Sequence, residues 1–256
     1  MQLSASYTDL KDKSVFITGG GSGIGAYLTE GFLQQGAKVA FVQRSGAREF
    51  VAEMQAKYGV APLAINCDIT DIDALQGAMA EAAQAHGAIQ VLVNNAGNDK
   101  RHNLADTKVE DWDQGQAINL RPHFFTAQAA ADGMRGAGGG AIINVSSVSY
   151  MMGNAGYPGY VAANAAINGL TRALARELGA DKIRVNALMP GWVLTEKQLA
   201  MWATPEDLAA HLDRQCLKQH LQPEDMVGTT LFLASEASKM ITGQAIVVDG
   251  GVVVTG

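Results

Sequence analysis

The stretch Thr18-Gly19-Gly20-Gly21-Ser22-Gly23-Ile24-Gly25 carries the plainest chemistry in this chain. Glycines let backbone N–H groups approach a phosphate closely, and a helix opening behind them adds its positive dipole end. Set between a strand and a helix, such a turn reads as a pyrophosphate cradle for a dinucleotide, with Gly19, Gly21, Ser22, Gly23 and Ile24 as candidate contacts. Three residues separate Gly19 from Gly23, so the spacing is TGxxxGIG rather than GxGxxG. Cys67 and Cys216, by contrast, form no CxxC pair and no ligand-spaced cluster with the five histidines. Neither a disulfide framework nor a metal site is expected from them.

A cradle of this kind needs a strand to aim it and a helix to open behind it. Ser14–Thr18 is a short apolar run before the glycines, and a helical pattern continues through Leu28 and Phe32 to Gly36. The alternation repeats, with strand patterns over Lys38–Val42, Ala61–Asn66 and Gln90–Asn94 and helical patterns over Ala47–Tyr58 and Ile72–His86. Val109–Met134 is helical, Ala141–Val145 is a strand, a long helix spans Tyr157–Leu178, and Ile183–Leu188 and Ala245–Val248 supply the last two strands. Unbroken apolar strands are buried on both faces. The expected fold is therefore α/β, a single-domain Rossmann-like doubly wound parallel sheet over residues 1–256 with helices on both faces. Trp192–Gln222, with Met201, Trp202 and Cys216 among polar residues, reads as short helices forming a small substrate lid. Gly136–Gly140 reads as a helix stop before a strand.

Composition excludes several other classes. With 48% hydrophobic and 17% charged residues among 256, the chain is neither disordered nor a coiled coil. A net charge of −6 argues against a nucleic-acid surface. No apolar run approaches the ~18 residues of a spanning helix, and Met1–Lys13 lacks the basic and apolar regions of a signal peptide. No membrane partner is expected, and a reduced cytoplasmic location is.

Beyond the glycine turn, the chain resembles the short-chain dehydrogenase/reductase family over nearly its whole length. Asp68, followed by Ile69, matches the family's adenine-contacting Asp. Asn94-Asn95-Ala96-Gly97 matches its NNAG motif, placing Asn95, Ala96 and Gly97 against the cofactor. Asn119, Ser147 and Tyr160 match the helix Asn, the Ser and the Tyr of the catalytic set, with the family's thirteen-residue separation between Ser147 and Tyr160. Pro190-Gly191-Trp192-Val193-Leu194-Thr195 resembles the PGxxxT segment that holds the nicotinamide carboxamide, with Pro190, Gly191, Val193 and Thr195 as contacts. Asp249-Gly250-Gly251 resembles the C-terminal turn. The resemblance also implies a homotetramer through the helices at Val109–Met134 and Tyr157–Leu178.

On that resemblance, Tyr160 gives or takes the proton as an alcohol and a carbonyl interconvert by hydride transfer, and Ser147 hydrogen-bonds the reacting oxygen. The family places a Lys four residues after the Tyr, where it lowers the phenol pKa and holds the ribose hydroxyls. Here that position is Asn164. A cation about 4 Å away at an effective dielectric near 20 is worth ~4 kcal/mol, or ~3 pKa units, and Asn supplies a hydrogen bond but no charge. Two accounts follow: a substitution introduced into a working enzyme, which the surrounding pattern favours, or a natural variant in which another group or water takes the role.

Cofactor choice falls at Gln43-Arg44-Ser45 after the second strand. NAD-preferring relatives carry an acid at the Gln43 position. Gln43 removes that repulsion, and Arg44 with Ser45 suits a 2′-phosphate, so NADP is favoured and NAD is possible. The run Asn98-Asp99-Lys100-Arg101-His102-Asn103-Leu104-Ala105-Asp106 and the segment Gln215-Cys216-Leu217-Lys218 resemble bacterial aldose 1-dehydrogenases. Asn98, Asp99, Ser147, Ser149, Asn154 and Trp192 are the candidate substrate contacts, for a small-molecule sugar such as L-arabinose, D-xylose, L-fucose or D-galactose, oxidised at the anomeric C1 hydroxyl to a lactone. The alternatives are a 3-oxoacyl-type ketoreductase and a catalytically impaired cofactor-binding protein.

Overall fold

A computed structural model describes residues 5–254, so the first four residues of the Met1–Lys13 segment lie outside it. Its strands are β1 Ser14–Thr18, β2 Lys38–Gln43, β3 Leu63–Asn66, β4 Val91–Asn94, β5 Gly140–Val145, β6 Ile183–Pro190 and β7 Ala245–Val248. They form one seven-stranded sheet in the order β3-β2-β1-β4-β5-β6-β7. Every pairing is parallel.

Alternate residues of one strand enter different cores, which is why the strands read as unbroken apolar runs. Val15 and Ile17 of β1 and Val39 and Phe41 of β2 face one core, with Phe32 and Leu231. Phe16, Ala40 and Val42 face the other, with Leu75, Met134 and Leu178. The first face is covered by helices α1 (Gly23–Gln34), α2 (Arg48–Tyr58) and α10 (Asp225–Ala234). The second is covered by α3 (Ile72–His86), α5 (Arg121–Gly136) and α7 (Pro158–Leu178). Each fully buried Phe, Leu or Ile contributes ~1.5–3 kcal/mol to holding these layers together.

The doubly wound α/β reading agrees with this architecture, with local differences. The helical pattern over Val109–Met134 is two helices, α4 (Val109–Asn119) and α5, separated at Leu120 with φ −125° and ψ −53°. Pro122 is the cause, because it has no N–H for the residue 118 carbonyl and its ring favours the first turn of a new helix. The break leaves Asn119 as the last residue of α4. A short helix the sequence pattern does not reveal, α6 (Ser149–Met152), follows β5. The remaining helices, α8 (Glu196–Met201) and α9 (Pro205–Arg214), form the inserted segment, capped by the side chains of Thr195 and Thr204. Val193 and Leu221 pair across the base of that segment, so its two ends are tied together.

Strand order reverses between β1 and β4, and parallel sheets open a crevice at the carboxyl ends of the strands on either side of such a point. The glycine turn and the segment after Asn94 both end there.

Candidate active site

The glycine turn packs too closely for other residues. Gly19 has φ +70°, and a Cβ on Gly25 would lie 1.8 Å from the Gly19 carbonyl oxygen. Gly19 to Ile24 therefore form a tight cradle at the start of α1, whose Ncap, Ser22, makes no side-chain cap. The orphan N–H groups of a helix start are then available to an anion. Asn95 braces this turn, its Nδ2 donating to the Thr18 carbonyl at 3.0 Å and the Gly19 carbonyl at 3.1 Å. The N–H groups of Asn95 and Ala96 both donate to Thr18 Oγ1 at 3.0 Å. The cradle has room, donors and a rigid frame for a pyrophosphate.

At the end of β2, Gln43 Nε2 donates to the Ser45 carbonyl at 3.0 Å and shapes the turn beyond it. Its Oε1 is buried against Gly21. Arg44 projects outward with a side chain 71% exposed, and its Nη1 lies 3.9 Å from Asp68 Oδ2. Such an exposed ion pair is weak, leaving the guanidinium free to meet a phosphate. The Asp68 carboxyl lies below its ordinary value, chiefly because it accepts from the Thr70 N–H. Ile69 is buried beside it.

A cavity of about 650 Å³ opens from this groove across the ends of β4, β5 and β6. Ile24, Asn95, Ala96, Gly97, Asn98, Asp99, Asn119, Ser147, Ser149, Asn154, Tyr160, Asn164, Pro190, Gly191, Trp192, Val193 and Thr195 all line it. Gly19, Gly21, Ser22, Gly23, Gln43, Arg44, Ser45, Asp68 and Ile69 lie outside its wall. Those residues belong to the first three strand ends, along the groove from the cavity, which suits the far end of an extended cofactor.

Ser147 and Tyr160 come together from β5's end and α7. Burial is the largest influence on the Tyr160 phenol, the Asp99 carboxylate adds to it, and hydrogen bonds with Ser147 and Asn164 oppose both, leaving it pushed up to about 12. Asn164 is buried, and its Nδ2 donates to the Tyr160 carbonyl at 2.9 Å. Its own carbonyl accepts from Ser146 Oγ at 2.9 Å and from Asn168 Nδ2 at 2.8 Å. Asn119 is fully engaged: its Oδ1 accepts from the Asn98 N–H at 2.7 Å and its Nδ2 donates to the Asn98 carbonyl at 3.1 Å. It thus fixes the loop that leaves the NNAG motif.

Around this pair stand polar side chains from three segments. Asn154 Nδ2 donates to the Tyr157 hydroxyl at 3.0 Å, and the Tyr157 and Tyr160 rings are 5.4 Å apart. Ser149 Oγ is buried without a hydrogen-bond partner. Asp99 accepts from Lys197 Nζ at 2.9 Å and from Gln198 Nε2 at 2.8 Å, while Trp192 Nε1 donates to Gln198 Oε1 at 2.9 Å. Burial pushes the Asp99 carboxyl up, and those hydrogen bonds more than offset it. Glycine is required at position 191, where a Cβ would come within 2.7 Å of the Asp249 Cβ.

Several residues that line or brace the cavity escape sequence reasoning. Lys197 and Gln198 look like surface residues of a short helix until the fold brings Asp99 to them. His102 receives the Gly159 N–H at Nε2 (3.0 Å), tying the charged run to the start of α7. His123, two residues past the start of α5, is buried with neither ring nitrogen hydrogen-bonded. Burial pushes its imidazolium down to about 4, so the ring is neutral. The Pro122 break was the available signal that residues 119–123 turn toward the sheet edge.

Comparison with known proteins bears on what this arrangement is. A family model described as Enoyl-(Acyl carrier protein) reductase (adh_short_C2) matches residues 19–253. The chain is similar to the Probable galactose dehydrogenase GalD of Rhizobium meliloti (strain 1021), at 45% identity over 251 residues, 97% of this chain and 98% of that protein. It is also similar to the D-xylose 1-dehydrogenase of Caulobacter vibrioides (strain NA1000 / CB15N), at 46% identity over 250 residues, 97% of this chain and 98% of that protein. Among solved structures, a blue fluorescent protein from a metagenomic library, in complex with NADPH, superposes with a TM-score of 0.88 at 34% identity, covering 96% of this chain and 100% of that one. On this likeness, which runs across nearly the full length, the chain belongs to the short-chain dehydrogenase/reductase family and is an NAD(P)-dependent oxidoreductase.

Proposed function

We propose that this protein oxidises the anomeric C1 hydroxyl of an aldose, of the L-arabinose, D-xylose, L-fucose or D-galactose type, to the lactone, with NADP favoured over NAD. The observation that carries this reading is the cavity wall, where Tyr160 and Ser147 face Ser149, Asn154, Asp99 and Trp192. A polyol needs such convergent hydrogen-bonding groups. The names of the two curated relatives, a galactose dehydrogenase and a xylose 1-dehydrogenase, support the same class.

When bound in the groove, the nicotinamide supplies the hydride acceptor. The chain's own residues hold and deprotonate the alcohol. Ser147 Oγ hydrogen-bonds the anomeric oxygen, and Tyr160 Oη takes its proton as C1 becomes a carbonyl carbon. The Gly19–Ile24 turn and the N–H groups after β4 would hold the pyrophosphate and its neighbours. Asp68 and Ile69 would flank the adenine, and Pro190, Gly191, Val193 and Thr195 would hold the carboxamide. Arg44 and Ser45 would take the 2′-phosphate, since Gln43 offers no repelling charge.

Asn164 makes this an impaired catalyst. With the phenol at about 12, the phenolate fraction at pH 7 is ~10⁻⁵, and among the described residues no cation acts on it to raise that fraction. Assembly as a homotetramer through α4, α5 and α7 completes the reading. Trp112 and Phe124 are 43% and 44% exposed on the first two of these helices.

A panel of aldoses with NADP and with NAD, alongside a 3-oxoacyl thioester with NADPH, tests the proposal. Aldose oxidation with thioester inactivity is expected. Thioester reduction with every aldose ignored would move the chain to the ketoreductases, and cofactor binding without turnover of either, even in Asn164→Lys, would make it a binding protein.

A further inference from the structure

Arg101 occupies an unusual place in the cavity wall. Its guanidinium carbon lies 3.9 Å from the centre of the Tyr157 ring and 5.2 Å from the centre of the Trp202 ring. Tyr157 is the neighbour of Tyr160 described above, and Trp202 closes the C-terminal end of α8. The guanidinium is therefore clamped between the catalytic floor and the inserted segment. Among the described residues, no carboxylate or other acceptor pairs with it, although Asp99 and Lys197 pair with each other nearby. Stacking fixes the plane of a guanidinium while leaving the N–H groups along its edge unused. A second donor in the same wall is also unused, because Trp202 Nε1 is buried and has no partner.

A buried donor such as Trp202 Nε1 costs free energy until an acceptor reaches it, and the half-buried Arg101 guanidinium beside it turns unused N–H groups to the same cavity. A sugar's vicinal hydroxyls supply acceptors, and the planar fork of Arg can span a pair of oxygens where a Lys ammonium offers a point charge. We propose that Arg101 and Trp202 form the specificity-determining wall of the sugar site, gripping hydroxyls remote from C1 and so deciding which aldoses are accepted. This rests on the aldose reading given above. It assigns Arg101 and Trp202 no part in the proton transfer, which belongs to Tyr160.

The assignment can be read at equilibrium, independently of the slow chemistry that Asn164 imposes. Binding of aldoses to the protein–NADP⁺ complex is measured by calorimetry for the unaltered chain, Arg101→Met and Trp202→Phe. The sugars are the best-binding aldose of the panel and its singly deoxygenated derivatives. Losing a hydrogen bond to a charged group weakens binding about ten- to a hundredfold, and losing a neutral one about three- to tenfold. Arg101→Met is expected to weaken the parent sugar by the first factor and Trp202→Phe by the second, with the NADP⁺ affinity unchanged. One deoxy derivative should bind the unaltered chain weakly and show no further loss in Arg101→Met, a coupling that a merely structural role would not produce. Trp202→Phe removes the N–H while keeping an aromatic ring beside Arg101, so it carries the test even where Arg101→Met does not fold. Unchanged aldose affinity in the variants that fold, or deoxy-sugar losses that simply add to the Arg101→Met loss, would overturn the assignment while leaving the aldose reading intact. If no aldose binds even the unaltered complex, the aldose reading and this assignment fall together.

Discussion

In the proposed mechanism a single side chain sets the pH at which the site works. Tyr160 must be a phenolate to take a proton from an alcohol, and burial together with the Asp99 carboxylate holds the phenol up at about 12. Asn164 opposes them only with a hydrogen bond. Asn164→Lys places a cation there, which lowers the phenol pKa by up to ~3 units. Because oxidation uses the deprotonated form, the limb of the pH–rate profile that rises with pH moves to lower pH by that amount. The rate near pH 7 gains up to ~10³-fold, read from steady-state kinetics across pH. Tyr160→Phe is expected to abolish turnover in both backgrounds while cofactor affinity, measured by fluorescence titration, stays nearly unchanged. At the other end of the groove, Arg44→Ala should weaken NADP about ten- to a hundredfold and NAD hardly at all, because only the 2′-phosphate contact is lost. Equal losses for both cofactors would remove Arg44 from the phosphate site.

Between elements, the layers are held by contacts whose consequences are separate from the chemistry. Glu30 of α1 accepts from Lys57 Nζ at 2.7 Å and from the Tyr58 hydroxyl at 2.6 Å, both at the end of α2. Burial pushes the Glu30 carboxyl up, but hydrogen bonds, these two foremost among them, prevail and hold it at about 2, against an ordinary 4.5. A carboxyl depressed by folding stabilises the native state above its ordinary value, and that stability is lost as pH falls from 4.5 toward 2. Because the Lys57 side chain is 40% exposed, the contribution is discounted to ~1–2 kcal/mol. Glu30→Gln should cost that much at pH 7 and little at pH 2, by chemical denaturation at the two values. The elements themselves were legible where the pattern was local: β1, α3 and β7 keep the bounds that apolar periodicity gives them. The α4–α5 break was hidden, because apolar spacing runs on across Leu120 while Pro122 stops the hydrogen-bond ladder. The site was legible in its motif residues and in the polar side chains named for the substrate, Asn98, Asp99, Ser149 and Asn154, all of which line the cavity. Arg101 lies in the run read as sugar-dehydrogenase-like and Trp202 in the expected lid, but their meeting, and the part played by Lys197 and Gln198, depends on α8 lying across the loop after β4, a contact nearly a hundred residues long in sequence.

At the scale of the whole molecule, the parallel sheet gathers the segments of the proposed site at one edge. All of them follow the carboxyl ends of strands, and the reversal between β1 and β4 opens the groove between them. The small residues Ala162, Ala165, Ala166 and Gly169 of α7 are exposed along one side of that helix. With α4 and α5, they offer the face through which the proposed tetramer assembles. Light scattering should then report about four times the 26.9 kDa of one chain, and Ala165→Arg should reduce it. The central claim, however, concerns one carbon of one class of substrate. It is tested most directly by incubating Asn164→Lys with an accepted aldose and NADP⁺ and following the products by NMR. The account predicts the 1,5- or 1,4-lactone, and the aldonate from its hydrolysis, in a one-to-one ratio with NADPH. A keto-sugar oxidised at C2 or beyond, or NADPH formed with no change at C1, would contradict it.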